Sequence, residues 1–134
     1  MSEYGCSQFL SRGLKIFAIF SMFTGTVDLI TGHKLVIPES ERALLPTPTL
    51  AFVDNQLRFL GAIWSGYGMI LWWASNNLQA RKVPLSLLGT AMVIAGIGRL
   101  TSGLTLGWAP SWLKIATAAE LIVPPLIYLF GFYV

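Results

Sequence analysis

Four long apolar runs, at about Leu14 to Thr31, Phe52 to Ser75, Pro84 to Leu106 and Trp112 to Tyr133, constrain this chain more than any other feature. Each is near the roughly 20 residues that an α-helix needs to cross a bilayer. Four crossings take up about 80 of the 134 positions, which leaves no room for a separate soluble domain. Only 11% of the residues are charged and the mean hydropathy is +0.66, whereas soluble domains carry roughly a quarter charged residues. The expected fold is all-α, a four-helix transmembrane bundle forming a single membrane domain. A spanning barrel would instead show alternating segments of about ten residues. Arg12 and Lys15 ahead of Ile16 to Phe23 resemble a signal peptide, but the apolar run continues past any cleavage point, so a retained first helix is expected.

The connections set the orientation. Arg12, Lys15, Arg81 and Lys82 fall on one side, against Lys34, Arg42 and Lys114 on the other. This excess puts both termini in the cytoplasm. The first loop, Gly32 to Leu50, holds Pro38, Pro46 and Pro48 and reads equally as a short interfacial helix over Glu39 to Leu45, beginning after Pro38, or as a disordered polar loop. Trp108 and Trp112 bracket the Gly107 to Pro110 turn as interfacial anchors. The net charge is +3, but the basic residues are scattered singly, which argues against a nucleic-acid partner. Membrane lipid and a lipophilic small molecule are the expected partners, and self-association into a homo-oligomer is left open. Cys6, the single cysteine, reads as a spare thiol or a lipidation site.

Charges inside the apolar runs carry the chemistry, because one at mid-membrane costs about 2.5 to 3.5 kcal/mol on insertion scales and must face protein or water. Asp28, Asp54, Arg58, Arg99 and Glu120 are the residues concerned. Asp28 and Arg99 lie roughly 22 Å along their outward-running helices and Glu120 roughly 12 Å along an inward one, so all five are expected in one outer layer. Each helix also shows one small or polar seam at helical spacing: Ser21, Gly25, Asp28 and Gly32; Asp54, Arg58, Gly61, Ser65 and Gly68; Gly89, Met92, Gly96, Arg99 and Gly103; Thr117, Glu120, Pro124 and Tyr128. Three carboxyls face two guanidiniums. The least compensated carboxyl becomes a candidate proton donor, Glu120 first and Asp28 second, while Asp54 reads as the partner of Arg58 four residues on. Glu120, Asp28, Arg99 and Arg58 are thus the candidate catalytic residues. Asp54, Asn55, Trp64, Tyr67 and Tyr128 are the candidate ligand contacts, although the aromatic residues of the second helix read first as packing groups. His33 reads as a surface histidine without metal-ligand partners, and no metal or cofactor is expected. A weak echo relates Gly25, Asp28, Leu29 and Gly32 to Gly96, Arg99, Leu100 and Gly103, as a two-plus-two duplication would.

Asp54-Asn55-Gln56-Leu57-Arg58-Phe59-Leu60-Gly61, Gly66 and Gly68, Gly96-Ile97-Gly98-Arg99-Leu100, Gly107 with Pro110, and Glu120 resemble the uncharacterised integral-membrane family called domain of unknown function 4345. The resemblance covers about Phe52 to Phe130. It implies a short four-helix membrane protein in which Arg58, Arg99 and Glu120 are signature positions, and it supplies no reaction.

Three functions fit these residues. The first is a membrane-embedded binding protein or enzyme for a lipophilic molecule, with an acid/base-assisted cyclisation or isomerisation as its chemistry. The second is a small proton-coupled transporter. The third is an assembly protein whose ion pairs only set helix packing. No nucleophile elbow, phosphate loop or metal cluster is present in the sequence.

Overall fold

The computed structural model describes residues 3–108 and 110–132, with side chains from Gln8 to Trp108 and Pro110 to Leu129. Tyr133, the expected end of the last helix, and the side chain of Cys6 lie outside these described residues. Among them every regular element is a helix: α1 (Glu3–Thr31), α2 (His33–Val36), α3 (Glu39–Arg42), α4 (Thr47–Ser75), α5 (Lys82–Leu106) and α6 (Trp112–Phe132).

The expected count of four therefore becomes six, because the first loop folds into two single-turn helices. Pro38 caps α3 where the sequence places a helix start, but the turn ends at Arg42 and not at Leu45. Three of the long helices, α1, α4 and α5, begin earlier than their apolar runs, while α6 begins with its run at Trp112. No proline precedes Pro38, so nothing interrupts α1 on the polar side of Leu14. Pro48 and Pro84 sit in the first turns of α4 and α5, where the missing N–H has no helical acceptor to lose. Gly32 ends α1 with φ of +55°, a left-handed conformation open mainly to glycine, and its N–H donates to Asp28 O at 2.8 Å. α6 carries Pro124 and Pro125 in its interior, which membrane helices tolerate better than soluble ones.

Among the described residues three helices are long and apolar enough to cross a membrane, over Gln8–Thr31, Lys82–Leu106 and Trp112–Leu129. α4 is as long as α1, at 29 residues, but Asp54, Asn55, Gln56 and Arg58 make its first half polar, and its tryptophans and Tyr67 lower the apolar content of the second. The chain divides into two compact units, Arg12–Trp73 and the residues on either side of it. In the first, α4 packs along α1 with Leu14, Ala18 and Leu71 buried; in the second, α5 packs on α6 with Leu85 and Met92 buried.

Candidate functional site

Small residues bring α1 and α4 together. A Cβ on Gly61 would stand 2.6 Å from both Gly25 O and Leu29 N, and one on Gly68 would meet Ala18 O at 2.7 Å. Backbone contact this close needs glycine. Polar groups then bond across the seam: Ser21 Oγ donates to Trp64 O at 2.6 Å, Ser65 Oγ to Met22 O at 3.3 Å and Trp64 Nε1 to Thr24 Oγ1 at 2.9 Å, with Thr26 and Ser65 sharing a hydroxyl bond at 3.2 Å. Trp64 also stacks on Tyr67 with ring centroids 5.1 Å apart and meets the edge of Phe17.

At one end of this seam Asp54, Arg58 and His33 form a clasp. Arg58 Nε donates to Asp54 Oδ2 at 2.7 Å, while its NH1 group donates to the Leu29 and Ile30 carbonyls at 2.8 and 2.9 Å. These are last-turn carbonyls of α1, which have no helical partner of their own and stand at the negative end of the helix dipole. Asp54 Oδ1 accepts from His33 N at 3.1 Å and from His33 Nδ1 at 2.6 Å. His33 is thus a tied and largely buried residue and not the surface histidine expected from the sequence; only 16% of its side chain is exposed.

In the second unit α5 and α6 meet through Gly96, whose missing Cβ leaves room for Leu121 and for Glu120 Cβ. Arg99 Nε donates to Glu120 Oε1 at 3.0 Å. The Glu120 side chain is 10% exposed and that of Arg99 is 42% exposed. Glu120 Oε2 is buried and has no hydrogen-bond partner among the described residues. Buried polar atoms are normally bonded, so this carboxylate oxygen is the chemically open group of the unit. Thr117, one turn away on α6, is also buried and donates to Leu113 O at 2.8 Å.

The structure therefore unites Arg99 with Glu120, and Asp54 with Arg58. Asp28 is half-buried beside Gly61 and makes no ion pair or side-chain hydrogen bond among the described residues. Asn55 is exposed and takes no part in the clasp. Tyr128 lies about 12 Å beyond Glu120 along α6 by the helical rise and is 42% exposed. An open groove of about 360 Å³ is lined by Ile19, Met22, Met69 and Trp72. It is apolar, and none of the candidate residues lines it.

These features define a class: among the described residues, an all-helical protein with three helices able to cross a membrane, a glycine and serine seam in one unit and, in the other, a half-exposed arginine paired with a buried glutamate. The family can be stated as well. Residues 10–130 match the model of the domain of unknown function (DUF4345), and the chain belongs to that family. The match begins at residue 10 in helix α1, ahead of the stretch from Phe52 to Phe130 on which the resemblance rests. No curated protein and no solved structure matches the chain.

Proposed function

We propose that the protein is a multi-pass membrane protein with four crossings and both termini on one side, and that Arg99 and Glu120 form the polar end of a site for a lipophilic small molecule bearing a hydrogen-bonding oxygen. Length and apolarity support crossing by α1, α5 and α6. Contact with α1 supports it for α4, since a helix bonded to α1 from Ala18 to Gly32 has to occupy the same depth. Large apolar side chains are exposed along these helices, among them Ile16, Phe23, Ile94 and Ile115, as lipid-facing positions would be.

The orphaned Oε2 of Glu120 carries the reading. A ligand hydroxyl could donate to it and accept from the remaining N–H groups of half-exposed Arg99. Counted by the rise per residue, Arg99 lies about 10 Å from the end of α5 and Glu120 about 12 Å from the start of α6, well within the apolar thickness. With the pair so placed, an acid/base-assisted cyclisation or isomerisation of a terpenoid-like molecule is the reaction class it would serve.

Wild type, Glu120→Leu and the double variant Arg99→Met with Glu120→Leu, reconstituted in nanodiscs, test the reading with farnesol and its hydrocarbon counterpart farnesene. Wild type is expected to bind farnesol in preference to farnesene, and both variants to lose that preference while keeping wild-type helicity. New cyclic or isomeric product in the wild-type sample would add the enzymatic step. A folded double variant that prefers farnesol as wild type does would overturn the proposal and leave the ion pair as a packing device. Proton-coupled flux of a hydrophobic cation that depends on Glu120 would replace it with transport.

A further inference from the structure

The apolar groove in the Arg12–Trp73 unit belongs to none of the charged sites. Ile19 and Met22 line it from α1, Met69 and Trp72 from α4. Arg12, Lys15, Ile19 and Met22 follow one another at helical spacing of three and four residues, so they share one face of α1. The groove therefore continues toward two cations. Lys15 Nζ sits over the Trp72 ring, 5.7 Å from its centroid, which holds the ammonium at the end of the groove and is itself favourable. Among the described residues neither Arg12 nor Lys15 pairs with a carboxylate. The acids of this unit, Asp28, Glu39, Glu41 and Asp54, all follow Met22 by six residues or more in α1 or belong to the loop and the start of α4, away from the cationic end.

We propose that this groove seats one acyl chain of an anionic phospholipid, with Lys15 and Arg12 holding its phosphate. The inference rests on the reading of the chain as a membrane protein and is independent of the Arg99–Glu120 site. Charge complementarity selects the occupant: a zwitterionic lipid would satisfy the apolar walls equally well but would leave two cations facing a neutral headgroup. Shape agrees. The groove is open along one side, as suits a chain lying against a helix seam, and its volume falls within the range of about 300–1,000 Å³ usual for small-molecule sites. Two of its four walls are methionines, whose unbranched side chains adapt to a mobile chain.

Native mass spectrometry of the protein released from nanodiscs of phosphatidylcholine with a minority of phosphatidylglycerol of matched chains reads the proposal directly. Retained lipid is expected to be enriched in phosphatidylglycerol. Lys15→Gln and Arg12→Gln should each weaken that enrichment about fivefold, the weight of one basic side chain at an anionic surface. Met69→Trp, which fills the exposed groove without touching the cations, should reduce retention of both lipids. Equal retention of the two lipids by wild type, or enrichment unchanged in the Lys15→Gln, Arg12→Gln double variant, would overturn the proposal. A protein that does not enter nanodiscs at all would instead overturn the membrane reading beneath it.

Discussion

Gly61→Ala tests the helix seam with a single methyl group. Its Cβ would lie 2.6 Å from Gly25 O and Leu29 N and 3.0 Å from Asp28 Cβ. The first two are backbone atoms inside α1, so no side chain can swing aside and the helices have to part. Parting loosens the four side-chain hydrogen bonds that span the seam. At an average of about 0.6 kcal/mol for such a bond in a membrane protein, their loss amounts to roughly 2 to 3 kcal/mol, before any lost dispersion contact. Gly66→Ala on the same helix is the control, because a Cβ there meets nothing within 4 Å; it should be neutral or stabilising by up to about 1 kcal/mol from helix propensity. Unfolding in mixed micelles by increasing SDS, followed by tryptophan fluorescence, measures both. The two variants should differ by about 3 kcal/mol in opposite senses. A Gly61→Ala protein as stable as Gly66→Ala would refute the backbone contact and with it the pairing of α4 along α1.

Gly32→Ala should destabilise by at least the roughly 1–2 kcal/mol of a left-handed residue with a Cβ, since φ is +55° and the added atom would run into Asp54 Oδ1; the same SDS titration checks it. Arg58→Lys should lower the unfolding midpoint despite keeping the charge, because one ammonium cannot reproduce a planar fork that holds Asp54 through one nitrogen and two α1 carbonyls through another. A midpoint equal to wild type would show that charge alone suffices.

The seams were legible because small residues at spacings of three and four report close helix contact whatever the partner. Gly25, Gly61 and Gly96 all stand at such contacts. The Arg99–Glu120 pair was legible from depth alone: rise per residue puts both at one height, and charges in an apolar run have few places to turn. What escaped depends on chain reversal. His33 reaches Asp54 only because Gly32 bends the chain back after α1, and a single glycine does not announce the direction of the bend. Asn55 stands outside the clasp because neighbours in a helix point about 100° apart, and adjacency to Asp54 implies no shared face. The echo between the first and third apolar runs breaks at its fourth position, where Gly32 terminates α1 while Gly103 lies inside α5 beneath the Trp108 ring.

Both ion pairs join an arginine to a carboxylate, and they differ in how completely their atoms are bonded. Both oxygens of Asp54 accept hydrogen bonds, three in all, and Arg58 spends two more on α1. Glu120 accepts one, from Arg99, and leaves Oε2 orphaned. A buried oxygen without a partner costs about 1–3 kcal/mol, so Glu120 is poorly explained as a stabilising device. Leucine at position 54 would strand the His33 N–H, its ring nitrogen and the Arg58 Nε. At position 120 leucine would remove the orphan and leave only Arg99, whose 42% exposure allows other partners. Asp54→Leu is therefore expected to lower the SDS unfolding midpoint more than Glu120→Leu does. Farnesol binding should follow the reverse order, lost on changing Glu120 and kept by whatever Asp54→Leu protein remains folded. A Glu120→Leu protein less stable than Asp54→Leu would return the second pair to the role of the first.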